Sequence, residues 1–270
     1  MALPSQSPLF WVSQKDRYLR QLLLRDVQEL TKRRLIVYFA NRYENAQIDQ
    51  RDIALMSELC KDTGGQPTDL MLETNGGVTD ATEGLVSLIQ TVIPDLRVIV
   101  VSGAKSNGTL LGLAAKSIVM GATSELGPIE PHINLIPCTV LATPEIAAQN
   151  FVLHKAGVFA LQQTKALAER LLTNGMMKGR PATEIAETVK KLSSREHFFS
   201  HGSVINHREA AQLGLSVEYM PPEDEAWQKL WLLYCMYDHD CRRDRYLKVF
   251  EGPSISTSIA VPRPAPPTTP

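Results

Sequence analysis

The sequence predicts an α/β fold in which helices flank a mostly parallel sheet. Three observations support this class. Short runs that are apolar throughout recur along the chain, as in strands buried on both faces. Segments with apolar residues at helical spacing separate these runs. Glycine-rich turns follow two of the strands. Strands that alternate with helices form parallel sheets, because each helix returns the chain to the edge where the strand began.

The elements are predicted in a regular order up to Met120. They are helix 14–34, strand 35–40, helix 49–60, strand 69–74, helix 79–93, strand 96–102, helix 109–115 and strand 118–120. Beyond them the spacing predicts helices over 145–172, 181–192, 208–213 and 223–248. The last 18 residues contain six prolines among serines and threonines, so we expect a disordered tail over 253–270.

Composition restricts the function classes. Of the 270 residues, 44% are hydrophobic and 21% charged, and the net charge is −1, so neither nucleic acid nor an anionic membrane is an expected partner. The four cysteines are scattered, which is typical of reduced thiols in a cytosol. Cys235, His239 and Cys241 lack an evident fourth ligand, so no metal is predicted. Neither a signal peptide nor an apolar stretch of about 20 residues is present, and we expect a cytoplasmic protein without a membrane anchor.

The first candidate catalytic turn runs from Glu73 to Asp80. A buried strand ends there at Gly76 and Gly77, and a helix follows. Glycines expose backbone N–H groups, and a helix N-terminus adds positive potential, so the turn is suited to a developing oxyanion. An ordinary strand-to-helix turn is the simpler interpretation of this segment alone.

The second turn runs from Ser102 to Thr109 and also joins a strand to a helix. Ser106 lies at the start of this helix, where its hydroxyl is either a nucleophile or a plain N-cap. The carboxyl ends of parallel strands meet at one edge of a sheet, so both turns are expected at the same edge. Together they indicate a nucleophile beside an oxyanion site.

Four segments carry a family resemblance: Asp69–Val78, Ala104–Met120, Glu125–Pro131 and His201–Leu215. They resemble the serine dehydrogenase proteinase family, which is related to signal peptide peptidase A and to the Clp protease proteolytic subunit. The likeness covers roughly residues 33–220. It implies a Clp/crotonase-type ββα spiral over 35–222, with a helical extension over 1–34 and a C-terminal helix over 223–252 outside it.

The resemblance implies a serine endopeptidase with Ser106 as nucleophile. The backbone N–H groups of Asn107 and Gly77, with that of Val78 as a further donor, would form the oxyanion hole, and Gly76 belongs to the same turn. The chain has Thr-Asn-Gly-Gly and Ser-Asn-Gly-Thr where the family usually has Thr-Pro-Gly-Gly and Ser-Ala-Gly-Thr. Both differences leave the glycines of the two motifs in place, namely Gly76, Gly77 and Gly108. Asn107 adds a polar side chain beside the expected nucleophile.

Three residues are candidates for the general base. The signal peptide peptidase type uses a lysine, for which Lys155 and Lys165 are candidates, and a Ser–Lys dyad is preferred, with Lys155 first. The Clp subunit uses a histidine, and His132 lies 26 residues after Ser106. A catalytic triad would also need a carboxylate, and none lies at the expected spacing in the sequence. A degenerate peptidase without a general base is a further possibility.

Two other functions share this fold. A crotonase-type acyl-CoA enzyme would use a glutamate such as Glu83 or Glu125. A non-catalytic scaffold would bind a partner through the aromatic segment from Trp227 to Tyr237. For the peptidase we expect peptide or unfolded protein as substrate, a homo-oligomer, and a separate partner for any ATP-driven unfolding, since no Walker motif occurs. Neither a metal nor an organic cofactor is implied.

Overall fold

The computed structural model describes residues 7–44 and 46–262. The helices are α1 (Pro8–Ser13), α2 (Lys15–Thr31), α3 (Arg51–Asp62), α4 (Thr79–Val92), α5 (Asn107–Leu113), α6 (Cys138–Leu141), α7 (Pro144–Gln149), α8 (Phe151–Asn174), α9 (Ala182–Leu192), α10 (His207–Gln212) and α11 (Glu225–Asp244). The strands are β1 (Arg34–Ala40), β2 (Thr68–Glu73), β3 (Leu96–Val100), β4 (Gly103–Ala104), β5 (Ser117–Met120), β6 (Glu125–Leu126), β7 (His132–Ile133), β8 (Ile136–Pro137), β9 (Val217–Tyr219), β10 (Tyr246–Glu251) and β11 (Ser256–Ala260).

The main sheet has the strand order β11-β10-β1-β2-β3-β5-β9. Strands β1, β2, β3, β5 and β9 are parallel, and β10 and β11 pair antiparallel at one edge. The predicted α/β class, with a mostly parallel sheet between helices, is therefore confirmed. The central strands β1, β2 and β3 are largely apolar because both faces of the sheet are covered there.

Each face of the sheet has its own hydrophobic core. On one face α3, α4, α5 and α8 cover side chains such as Ile36, Leu70 and Val98. On the other face α2 and α11 cover side chains such as Val37 and Ile99. Helix α2, predicted as part of an extension, thus contributes Leu24 and Val27 to a core layer.

The C-terminal predictions need two corrections. The helix predicted over 223–252 ends at Asp244, because Arg245 adopts a left-handed conformation (φ 55°) and the chain turns back as β10. Strand β10 pairs with β1, and β11 continues the sheet inside the segment that was predicted to be disordered. Hydrogen bonding to a sheet edge organises β11 despite its polar composition. Residues 263–270 of the predicted tail lie outside the described part.

The single helix predicted over 145–172 is two helices, since Asn150 interrupts it. The Asn150 side chain accepts a hydrogen bond from the Leu153 N–H and caps α8. Five short strands after β3 were not predicted: β4, β6, β7, β8 and β9. They include the hairpin of β7 and β8, which carries His132.

Candidate functional site

Ser106 lies at the N-terminus of α5, at the edge of the sheet where β3 ends. It has φ 52° and ψ −117°, a conformation that L-residues rarely adopt. The residue is half-buried, and its Oγ has no hydrogen-bond partner within the described ranges. The hydroxyl is therefore available to a molecule in the cleft in front of it.

Glycine is required at both positions of the neighbouring turn. Gly76 has φ 104°, and a Cβ there would lie 2.8 Å from the Ser106 Cβ. A Cβ on Gly77 would lie 2.3 Å from the backbone nitrogen of Ile48. A side chain at Gly76 would push the two turns apart, and one at Gly77 would push its turn away from Ile48.

The hydrogen bonds of this turn show which amides are free. Ile48 donates its N–H to the Gly76 carbonyl, and its own carbonyl accepts the Val78 N–H, both at 2.9 Å. A residue bridged in this parallel manner turns its own N–H and C=O to the opposite side. Gly77 therefore faces away from Ile48, and its carbonyl accepts a 2.5 Å hydrogen bond from Asn107 Nδ2.

Two N–H groups of the predicted oxyanion set lack an acceptor in the part of the chain that is described: those of Gly77 and Asn107. The other two expected contributors differ. The Val78 N–H is used by Ile48, and the Gly76 N–H donates to Thr74 Oγ1 at 3.0 Å. Gly76 and Val78 thus shape the turn through their backbone without offering a free donor.

Ser106 and both free amides border a cleft of about 850 Å³. His132 and His201 line the same cleft, with their ring centroids 4.2 Å apart. Gly76, Val78 and Asn107 also line it. The structure thus brings together Ser106, all four predicted oxyanion residues and one of the three candidate bases.

Hydrogen bonding defines the tautomer of His132. Its Nδ1 lies 3.2 Å from the Glu130 carbonyl, and its Nε2 lies 3.5 Å from Nη2 of Arg195. Because a carbonyl only accepts and a guanidinium only donates, the proton belongs on Nδ1 and the lone pair on Nε2. Arg195 also pairs with the buried Glu130 carboxylate at 2.8 Å.

His201 was not among the predicted site residues. Burial, and then the neighbouring His132, lower its pKa to about 4, so the ring is neutral near pH 7. Its sequence context, a Gly-containing loop before α10, carries no signal for this position. Only the folding of that loop over the cleft brings it beside His132.

Neither candidate lysine lines the cleft. Lys155 and Lys165 lie on α8 and are exposed, and Lys155 Nζ sits 5.5 Å from the ring centroid of Phe151. Glu83 and Glu125, the alternative acid–base residues, do not line it either. Glu83 pairs with Arg170, and Glu125 pairs with Arg42 and Lys105.

A charged cluster behind the two turns was also unforeseen. Arg42 pairs with Glu73 and Glu125 and donates from Nε to Asn75 Oδ1 at 2.8 Å. Glu73 accepts the Gly103 N–H at 3.0 Å, and burial raises the pKa of its carboxyl to about 7 against these contacts. Burial likewise lowers the pKa of Lys105, which pairs with Glu125. The cluster connects the segments that precede Gly76 and Ser106.

A family model for ClpP-like SDH-type serine proteinases matches residues 43–246. The chain belongs to this family. The match confirms the resemblance and extends it, because it runs through α11 rather than ending near 220. The C-terminal helix α11 therefore lies within the region that matches the family.

Two relatives of this chain are uncharacterized proteins of Methanocaldococcus jannaschii. MJ0137 is 30% identical over 166 residues, which are 59% of this chain and 56% of that protein. MJ1495 is 26% identical over 162 residues, 58% of this chain and 53% of that protein. The chain therefore spans little more than half the length of these relatives. Among solved structures, a ClpP1 mutant from Listeria monocytogenes aligns with 74% of this chain and 98% of its own, at 14% identity and a TM-score of 0.46.

No helix among the described residues combines the length and apolar character needed to cross a bilayer. No group of three or more His, Cys, Asp or Glu side chains in those ranges is placed to hold a metal ion.

Proposed function

We propose that this proteinase hydrolyses peptide bonds through an acyl-enzyme on Ser106, with the N–H groups of Gly77 and Asn107 as its oxyanion hole. The observation that carries the proposal is the convergence of an unengaged serine hydroxyl and two unengaged amides on one cleft. Donors that are already oriented stabilise the oxyanion without reorganising, which is a major source of rate acceleration in acyl transfer.

The acylation step follows from these positions. Ser106 Oγ attacks the carbonyl carbon of the scissile bond, and its proton passes to a general base. The carbonyl oxygen becomes an oxyanion that accepts the N–H groups of Gly77 and Asn107. The amine then leaves with the proton from the base, and water repeats the sequence on the acyl-enzyme.

His132 is the base that we favour over Lys155 and Lys165. It lines the cleft with Ser106, and its Nδ1–H contact with the Glu130 carbonyl places the ring lone pair on Nε2. Arg195 Nη2 lies 3.5 Å from Nε2, so the guanidinium must give way when this lone pair accepts the serine proton. The Glu130 carbonyl then orients the His132 ring, as the carboxylate does in a Ser-His-Asp triad. The earlier preference for a lysine depended on spacing along the chain, whereas both lysines are exposed on α8.

The test of the nucleophile is labelling with a fluorophosphonate probe. Wild type should be labelled, Ser106→Ala should not, and the matched control Ser102→Ala should be labelled like wild type. Ser102 lies four residues earlier and lines a separate small pocket of about 230 Å³. Persistent labelling of Ser106→Ala would remove the proposal.

The test of the base compares His132→Asn with Lys155→Met and Lys165→Met. We expect His132→Asn to lower the acylation rate by about 10²–10⁴-fold, the usual contribution of a general base. Both lysine variants should stay within about twofold, since exposed surface changes seldom disturb a distant site. A loss confined to one lysine variant would assign the base to that residue instead.

Exposed apolar side chains on α8 support a homo-oligomer. Phe151, Val152 and Phe159 are 64%, 77% and 63% exposed. Large apolar side chains clustered on one surface are typical of protein interfaces. Sedimentation velocity of wild type and of Phe151→Ser/Phe159→Ser checks this, because the double variant should sediment as a smaller species.

A further inference from the structure

Lys248 of β10 is a buried lysine that the proposed mechanism does not use. It is 0% exposed, and its Nζ donates to both carboxylate oxygens of Asp52, at 2.7 and 2.9 Å, and to Asp49 Oδ2 at 2.9 Å. Tyr38 also donates its hydroxyl to Asp52, at 2.6 Å. We call these four residues the Lys248 cluster.

A buried ion pair of this kind adds little net stability over an apolar replacement, because desolvation offsets most of the attraction. The hydrogen bonds of the pair are directional, however, so they fix the relative positions of their donors and acceptors. Asp52 receives the Asp49 N–H as well, at 2.9 Å, so the backbone at Asp49 is held by the same carboxylate that holds Lys248.

The neighbour of Asp49 is Ile48, which is the residue that shapes the oxyanion turn. Ile48 bonds Gly76 and Val78 through its backbone, and a Cβ on Gly77 would lie 2.3 to 2.8 Å from the Ile48 N, O and Cα atoms. The two backbones are therefore in direct contact. Any displacement of Ile48 passes to Gly77, whose N–H is the proposed oxyanion donor.

We propose that Lys248 is a positioning residue for the oxyanion turn, acting through Asp49 and Ile48 on the Gly77 N–H. The inference rests on the proposed acyl-transfer function. The inference also assigns a positioning role to strand β10, although Lys248 lies beyond the family match at 43–246. A strand at the far end of the chain thus sets the geometry of a turn between β2 and α4.

The test compares Lys248→Met with Arg20→Met. Arg20 is a matched control because it is also a buried cation, pairing with Glu251 of the same strand β10 and with Asp240, but on the face of the sheet covered by α2 and α11. Both variants leave buried carboxylates without their cation, so both should lose stability in thermal unfolding. Fluorophosphonate acylation is then measured at a temperature where each variant is folded by circular dichroism.

We expect Lys248→Met to acylate about ten to a hundred times more slowly, since displacements near 1 Å cost up to about a hundredfold. The acylation rate of Arg20→Met should stay within about threefold of the wild-type rate, because changes at distant sites act nearly independently. Equal rates for the two folded variants would overturn the inference. If Lys248→Met does not fold, Asp52→Asn takes its place, because the Asp52 carboxylate accepts both Lys248 Nζ and the Asp49 N–H, while Lys248 keeps Asp49 as its partner. A wild-type rate for folded Asp52→Asn would then overturn the inference.

Hydrogen exchange separates this inference from the proposed function. The Val78 N–H is bonded to Ile48, so its exchange should quicken in Lys248→Met and not in Arg20→Met. This readout holds whether or not Ser106 is a nucleophile. Wild type that resists the probe would refute the peptidase proposal, while unchanged Val78 exchange would refute the positioning role.

Discussion

Replacing Gly77 by alanine tests the oxyanion hole most directly. The new Cβ would lie 2.3 Å from Ile48 N, 2.4 Å from Ile48 O and 2.8 Å from Ile48 Cα. All three atoms belong to the backbone, so no rotamer change relieves the contact. The turn must withdraw from Ile48 by roughly 1 Å, the gap to an ordinary van der Waals separation.

The size of the effect follows from that displacement. An oxyanion donor works over about 2.7–3.1 Å, so a shift of about 1 Å takes the Gly77 N–H out of range. Loss of one such donor lowers kcat by about 10²–10³-fold, or about 2.7–4 kcal/mol. Gly77→Ala should therefore acylate about a hundred to a thousand times more slowly than wild type.

The assay is the rate of fluorophosphonate labelling at Ser106, followed by hydrolysis of a fluorogenic peptide. Gly64→Ala is the matched control: Gly64 has φ +61°, and a Cβ there meets nothing within 4 Å. It should lose about 1 kcal/mol of stability through left-handed strain and keep its labelling rate. Labelling of folded Gly77→Ala at the wild-type rate would refute the assignment of this amide.

Three further predictions concern neighbouring groups. Asn107→Ala removes the hydrogen bond to the Gly77 carbonyl and should lower kcat/KM for a peptide by about five- to tenfold, or about 1 kcal/mol; an unchanged kcat/KM would show that the amide does not depend on this side chain. The Glu73 carboxyl has its pKa raised by burial from 4.5 to about 7, so its contribution to stability is complete below pH 4.5 and is lost as the pH rises through 7. Relative to Glu73→Gln, wild type should lose about 3 kcal/mol between pH 4.5 and 8 in urea unfolding, and parallel pH curves would contradict the raised pKa. The His201 ring, with its pKa lowered to about 4, should keep neutral proton chemical shifts down to pH 5 in NMR, and a midpoint near 6.5 would contradict its burial.

The part of the fold predicted from sequence is the part set by local pattern. The apolar runs of β1, β2 and β3 and the glycines after β2 determine the sheet and the turn, because burial on both faces and positive φ each restrict residue type strongly. The position of Ser106 between a strand and a helix follows from the same local pattern, whereas its role as nucleophile was predicted from the family resemblance and stays a prediction.

The parts that sequence missed depend on distant contacts. The end of α11 at Arg245 has no glycine to signal it, and β10 forms because β1 offers an edge. Strand β11 depends in turn on β10. Spacing from Ser106 favoured Lys155, but α8 follows a break at Asn150, and spacing along a chain does not report on which side of a helix a residue lies.

Ser106 and the Gly76–Gly77 turn form one structure rather than two neighbouring ones. Ser106 holds a conformation that costs of order 1–3 kcal/mol, which persists only where the surroundings fix it. Thr74 supplies that fixation, since its N–H donates to the Gly103 carbonyl and its carbonyl accepts the Lys105 N–H, both at 2.9 Å. Gly76, two residues on, is the residue whose missing Cβ admits Ser106. Thr74 therefore ties the segment before Ser106 to the turn that carries Gly77, so a variant that relaxes one turn should disturb both.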